Sequence, residues 1–217
     1  MKLQEPMVYV VEDDLALQKA VASLLKSVGL KTKAFSSAAK FLEATLEDQP
    51  RCMLLDIRLP DLSGMELQRR LSAIEESLPI VFITGHGDIR MSVQAMRAGA
   101  VDFLTKPFEP QELIDAVQRA LERSRSRITR TAELQETKRR YALLTKRELQ
   151  LLPLLVAGGT NREFAQQIGT SENTIKVHRS HIMRKMGASS LPELIRFVDR
   201  LNSSNQALAL EGSMAAQ

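Results

Sequence analysis

Between residues 7 and 104 the chain repeats one unit: a short apolar run, a polar or turn residue, then a stretch with apolar residues at helical spacing. Met7-Val8-Tyr9-Val10-Val11, Cys52-Met53-Leu54-Leu55 and Pro79-Ile80-Val81-Phe82-Ile83 are too short for helices and too continuously apolar for half-solvated strands. Val101 to Leu104 is a further strand, and Lys31 to Phe35 a more polar one suited to an edge. Runs of this kind are satisfied by a parallel sheet buried on both faces.

The intervening stretches read as helices. Leu17, Val21, Leu24, Leu25 and Val28 recur at helical spacing up to the stop at Gly29. Ser36 or Ser37 can cap a second helix with Phe41, Leu42 and Leu46 inward. A third begins near Gly64 with Leu67 and Leu71 inward, a fourth runs from Met91 to Ala98, and a fifth starts near Pro110 with Leu113, Ile114, Val117 and Leu121 inward. Five strands alternating with five helices predict an α/β fold with right-handed crossovers, a flavodoxin-like (βα)5 unit with strand order 2-1-3-4-5.

In such a sheet the chemistry collects at the carboxyl ends of the strands. There the sequence places Glu12-Asp13, Asp56, Thr84 and Lys106, each just after an apolar run. Arg58-Leu59-Pro60-Asp61 and Ser63-Gly64 are turn signals, so the third strand ends at Asp56. Three carboxylates brought together repel and require a cation at neutral pH. An oxygen-only ligand set suits Mg2+. A carboxylate beside Mg2+ can take up a phosphoryl group as an acyl phosphate. Lys106 supplies a compact positive charge for one phosphoryl oxygen, and Thr84 a hydroxyl for another. Scattered surface acids and a solvated lysine are the bland alternative, and the matched placement at strand ends argues against it.

Charge is divided unevenly along the chain. Residues 1–122 carry 14 Lys/Arg and 18 Asp/Glu, a balance of −4, whereas residues 123–217 carry 16 and 8, a balance of +8. An acidic module joined to a basic one invites a polyanionic partner for the second. The one cysteine, Cys52, lies in a strand run, which excludes an internal disulfide framework and fits a reducing compartment. No apolar run approaches ~18 residues and no leader pattern opens the chain, so a cytoplasmic protein without a membrane partner is expected.

In the basic part, residues 123–140 are Arg-rich without Pro or Gly and read as a charged linker, either a helical extension of the preceding helix, which the residue types favour, or an extended tether. Thr145-Lys146-Arg147-Glu148 and Thr160-Asn161-Arg162-Glu163 are capping boxes that open two helices. Pro153 interrupts the apolar stripe of the first and should kink or end it. Thr170 or Ser171 can cap a third helix from Glu172 to about Met186, and Pro192 lies in the first turn of a fourth. Two short helices joined by a Gly-containing turn form a helix-turn-helix, whose second helix enters the DNA major groove. On that helix Ile175, His178, Ile182 and Met186 are expected inward. Thr174, Lys176, Val177, Arg179, Ser180, Arg184 and Lys185 are the candidate DNA contacts, with cations on phosphates and groups near the helix start on base edges. His178 and His181 lack a second ligand cluster, so zinc is not expected.

Val10-Val11-Glu12-Asp13, Leu54-Leu55-Asp56-Ile57-Arg58-Leu59-Pro60, Ile83-Thr84-Gly85-His86-Gly87-Asp88 and Ala98 through Phe108 resemble the receiver domain of two-component response regulators, over residues 7–122. Leu144 to Glu148, Gly159 to Ala165 and Ser171 to Arg179 resemble the four-helix, all-α LuxR-type DNA-binding domain, over residues 141–201. Together the halves look like the NarL/FixJ class. This resemblance implies that Asp56 is the phosphoacceptor and that Glu12, Asp13, Asp56 and the Arg58 backbone carbonyl hold Mg2+. It also implies that Thr84 and Phe103 are the switch pair, that Lys106 contacts the phosphate and that the Lys106–Pro107 bond is cis. Base contacts would come from Lys176, Val177 and Ser180, output dimerisation from the last helix, and a receiver dimer face from Met91, Val93, Gln94 and Arg97. Two positions depart from the usual pattern: Glu12 stands where Asp is commoner, and Phe103 has no hydroxyl, so switching there acts through ring packing. His86 reads as a loop residue shaping access.

The expected organisation is a receiver at 1–122, a linker at 123–140, a DNA-binding domain at 141–201 and a disordered tail at 202–217. The expected function is transcription control, with activation the expected sense. The partners are a histidine kinase, double-stranded operator DNA, RNA polymerase and a second copy of the chain on phosphorylation. No enzymatic activity is expected beyond the receiver's own phosphoryl transfer and dephosphorylation. Two rivals remain: a constitutive DNA-binding protein whose acidic cluster is vestigial, and an aspartate-nucleophile phosphatase. Many such phosphatases carry a second acid two residues after the nucleophile, where this chain has Arg58.

Overall fold

The computed structural model describes residues 5–46, 49–74, 78–85 and 89–214, side chains at 73–74 and 205–214 excepted. It divides into two compact units, residues 1–129 and 130–217.

The first unit holds a parallel sheet in the order β2-β1-β3-β4-β5. Its strands are β1 (Met7–Val11), β2 (Lys31–Phe35), β3 (Arg51–Asp56), β4 (Ile80–Thr84) and β5 (Asp102–Thr105). β4 is buried along its whole length and β3 nearly so, which explains their unbroken apolar runs. β2 buries Phe35 and leaves Lys31 and Lys33 exposed at the edge. Alternate residues serve two cores. Tyr9, Met53, Leu55 and Phe82 face one, together with Phe41, Leu67 and Ala95 from α2 (Ala38–Leu42), α3 (Gly64–Ile74) and α4 (Ile89–Arg97). Val8, Val10, Leu54, Val81 and Ile83 face the other, with Val21 and Leu25 of α1 (Leu15–Ser27) and Leu113, Val117 and Leu121 of α5 (Pro110–Tyr141).

Helix starts follow local chemistry. The Asp14 carboxylate caps α1 by accepting from Ala16 N at 2.8 Å and Leu17 N at 3.2 Å. Ser37 caps α2, whose five residues turn Phe41 inward and leave Leu42 40% exposed; Leu42 was expected inward. Neighbours on a helix lie about 100° apart, so so short a helix cannot bury both. The charged stretch 123–140 is helical, the continuation of α5 through Tyr141.

The second unit is all-α. The last turns of α5, then α6 (Lys146–Ala157), α7 (Asn161–Ile168), α8 (Glu172–Met186) and α9 (Leu191–Met214), enclose a core of Leu151, Leu155, Phe164, Ile175, Ile182 and Leu194 among others. Both capping boxes form, with Thr145 and Glu148 on α6 and Thr160 and Glu163 on α7. One expectation is narrowed and another corrected. Of the two outcomes expected at Pro153, a kink or an early end, the early end is excluded: α6 runs through it, and position 153 has no N–H to offer the Leu149 carbonyl. The stretch after residue 201, expected to be disordered, continues α9 to Met214. Beyond the weak helix formers Asn202, Ser203, Ser204 and Asn205 lie Gln206 to Glu211, which favour helix.

Pro153 is exposed. Pro153→Ala is therefore expected to stabilise the second unit by about 1–2 kcal/mol by restoring one helical hydrogen bond. A circular-dichroism melt checks this, and an unchanged or lower Tm would mean that packing of the ring outweighs the missing donor.

Candidate functional site

Parallel register brings four strand ends to one edge. Val11 pairs with Leu55, Asp56 with Ile83, and Thr84 with Thr105, so Glu12, Asp13, Asp56, Thr84 and Lys106 leave the sheet together. Glu12, Asp56 and Thr84 are buried and Asp13 is exposed. Carboxylate oxygens of Glu12, Asp13 and Asp56 lie within 4.8 Å of one another. Lys106 Nζ sits 2.6 Å from both Glu12 Oε2 and Asp56 Oδ2. The backbone fixes this geometry: Lys106 N donates to Thr84 O at 2.8 Å, and the Lys106–Pro107 peptide is cis. Asp56 Oδ1 accepts from Arg58 N at 3.0 Å, and Glu12 Oε1 from Asp14 N at 3.3 Å.

Burial pushes the Glu12 carboxyl upward and the charge of Asp56 adds to this, while the Lys106 ammonium only partly offsets them. For Lys106, burial works against the charge but is outweighed by the bonds to Asp56 and Glu12, so its pKa is raised and it stays an ammonium at neutral pH. Three oxygen donors against one ammonium leave a net negative site of hard ligands, which fits Mg2+. Burial pushes the Cys52 thiol up, which leaves it an inert core residue.

Two supporting residues carry no motif signal. The Gln18 side chain, buried on α1, donates to the backbone carbonyls of Glu12 and Phe35 and so ties the ends of β1 and β2. Gly64 packs against the Asp56 backbone so closely that a Cβ there would overlap the Asp56 carbonyl oxygen. Phe103 is half-buried against the first core, its ring 6.5 Å from Phe82. Arg58 is exposed, and His86, Gly87 and Asp88 lie outside the described residues. Of the expected dimer face, Val93, Gln94 and Arg97 are exposed and Met91 packs partly into the core. Ile89, at 82% exposure, and Met96 extend this apolar surface on α4.

In the second unit α7, a turn at Gly169 and α8 form a helix-turn-helix, with Phe164 and Ala165 buried in one core with Ile175. Lys176, Val177, Ser180 and Arg184 are exposed on α8, and Thr174 and Arg179 partly so. His178, expected inward, is half-exposed.

Residues 8–118 match the family described as response regulator receiver domain, and residues 142–198 match bacterial regulatory proteins of the luxR family. The chain is a LuxR-type response regulator. It is 43% identical over 201 residues to response regulator protein TmoT of Ectopseudomonas mendocina, which covers 93% of this chain and 91% of that one. It is 41% identical to transcriptional regulatory protein FixJ of Azorhizobium caulinodans, over 87% of this chain and 90% of that one. Among solved structures, response regulator StyR aligns with a TM-score of 0.79 at 42% identity, over 90% of this chain and 99% of StyR. The five-stranded parallel sheet is thus the receiver fold, and α6 to α9 are the LuxR-type output domain of a transcriptional regulator.

One candidate DNA contact in this regulator is turned elsewhere. Lys185 was expected outward but places Nζ 2.6 Å from Oε2 of Glu148, a buried acid on α6. Helical spacing on α8 could not show this, because the partner lies 37 residues away. Burial raises the Glu148 pKa, but the Lys185 ammonium and the Thr145 backbone and hydroxyl outweigh it, so the net shift is downward. A lowered carboxyl contributes stability above its unfolded value, and this is lost as pH falls through the folded one. Glu148→Gln is expected to destabilise the output domain by about 1–3 kcal/mol at pH 7, because Lys185 is left unpaired. The difference from wild type should begin to shrink as pH falls below the ordinary value of 4.5, where the unfolded carboxyl gains its proton, and should vanish only at lower pH, where the native carboxyl is protonated too. Chemical denaturation at pH 7 and pH 3.5 reads both effects.

Proposed function

We propose that this regulator is switched by phosphorylation of Asp56. The observation that carries the reading is the gathering of Asp56, Glu12 and Lys106 within 2.6 Å bonds at the strand ends. A carboxylate oxygen of Asp56 attacks the phosphoryl phosphorus of a phosphohistidine on a partner kinase. The P–N bond breaks, the imidazole leaves and takes a proton, and an acyl phosphate remains on Asp56. Glu12, Asp13, Asp56 and the Arg58 backbone carbonyl would hold Mg2+, which when bound supplies positive charge to the phosphoryl oxygens. Lys106 moves from shared pairing with Glu12 and Asp56 to a phosphoryl oxygen. The Thr84 hydroxyl takes another oxygen, and the half-buried Phe103 ring repacks with it.

The change shifts the receiver between two states, and the active one pairs with a second copy through the exposed α4 face. A dimer presents two α8 helices to the half-sites of operator DNA, with Lys176, Val177, Arg179, Ser180 and Arg184 at the groove, and recruits RNA polymerase. The protein works in the cytoplasm; among the described residues no helix is long and apolar enough to cross a membrane. Turnover of external phosphate esters is not part of this reading, since Arg58 stands where a second acid would serve.

Light scattering with Mg2+, with and without beryllofluoride as a phosphoryl mimic, is expected to show a monomer-to-dimer shift in wild type and none in Asp56→Ala. Dimers in both proteins before addition would exclude assembly as the switched step. Separately, Lys176→Ala and Arg179→Ala are each expected to lower DNA affinity, with the salt slope reduced by about one where the lost contact is a phosphate. Phosphorylation of both variants should be unchanged. Binding equal to wild type in both would remove α8 as the recognition helix.

A further inference from the structure

The C-terminus of α8 is met by a group from another helix. Within α8, Gly187 N–H returns to Arg184 O at 3.2 Å and Ala188 N–H to Met183 O at 2.9 Å. The Met186 carbonyl accepts instead from Nη1 of Arg140 at 3.1 Å, a residue in the last turn of α5. Arg140 is itself oriented one turn back, where its Nε donates to Glu136 Oε1 at 2.6 Å. Arg139 and Arg140 hold Glu136 firmly ionised, its pKa pulled down to about 2. The approach also dictates residue 187. A Cβ there would overlap the Arg140 guanidinium, and the backbone is left-handed at φ 67°, so glycine meets both demands.

A cation at a helix C-terminus meets carbonyls that have no helical donor and the negative end of the helix dipole. Here that helix is the recognition helix, and the cation comes from α5. The guanidinium is engaged by Met186 on α8 and Glu136 on α5, both within the second unit. We propose that Arg140 is a positioning residue for sequence-specific DNA binding: it fixes the C-terminal end of α8 and thereby the aim of Lys176, Val177 and Ser180. The inference rests on DNA binding by this domain. Sequence-specific readout needs hydrogen-bond geometry at base edges, whereas binding to phosphates tolerates a tilted helix.

The test uses the full chain. A duplex is selected from a random-sequence pool by the wild type, and a scrambled duplex of equal length and composition serves as control. For Arg140→Met, fluorescence anisotropy over a salt series is expected to show about a tenfold loss on the selected duplex, the weight of one hydrogen bond to a charged group. Binding to the scrambled duplex and the salt slope stay as in wild type. A parallel loss on both duplexes, with the salt slope reduced by about one, would make Arg140 a phosphate contact and overturn the proposal. Unchanged binding would overturn it too. Gly187→Ala is expected to weaken the selected duplex as well, and the double variant to lose less than the two single losses combined, because both changes break the same contact and only the strain of the left-handed backbone at residue 187 persists. Additive losses count against the proposal. Should Arg140→Met not fold, Glu136→Gln keeps the guanidinium and removes the charge that orients it; about a threefold loss confined to the selected duplex is expected, and no loss refutes the idea. If wild type enriches no duplex, the DNA-binding reading falls, and this inference with it.

Discussion

One ammonium shared between two buried carboxylates governs the receiver. Glu12 and Asp56 would repel strongly at the edge of a dry sheet, and Lys106 holds them together through two 2.6 Å bonds. At an effective dielectric near 20, each contact of this kind carries on the order of several kcal/mol before desolvation is subtracted. The arrangement is stable but not saturated, since the acids outnumber the cation. Any new anionic group bound to Asp56 must therefore redistribute Lys106, and every bond that Lys106 leaves or gains is felt at two strand ends at once. The remainder of the fold delivers these groups. Parallel register sets their depth, Gln18 ties the ends of β1 and β2, and Gly64 allows a helix start against the Asp56 backbone.

The output domain follows a related logic with opposite sign. Helix α8 is basic, and part of the positive charge on and around it serves to hold the helix in place. Lys185 is tied to Glu148 on α6, and Arg140 on α5 reaches the Met186 carbonyl. Lys176, Ser180 and Arg184 stay exposed along α8, with Val177 beside them.

Much of this was legible in the sequence, for physical reasons that can be named. Strands buried on both faces must be continuously apolar, so β1, β3 and β4 announced themselves. Their polar terminal residues then marked the site. Capping boxes are local, and both were found with their correct partners. What escaped notice was tertiary. Gln18 looks like a solvated helix residue until the carbonyls it serves are known. Gly64 reads as a helix start, with no hint of the backbone it touches. Lys185 follows the basic spacing of α8, yet a buried acid on another helix claims it. Residues 202–214 read as a tail because the poor helix formers Asn202 to Asn205 precede the better ones, yet α9 continues through them.

An open sheet has two rims of unpaired backbone, each a template on which another chain can extend the sheet. Here one rim is β2, which turns Lys31 and Lys33 outward, and the other is β5, only four residues long. Charged side chains and brevity both discourage strand-to-strand joining. Both edges of the sheet are thus guarded against irreversible ribbon growth. Exposed apolar residues of the receiver gather instead on a helix, at Ile89, Val93 and Met96 of α4, where no row of unpaired backbone groups is offered to a neighbour.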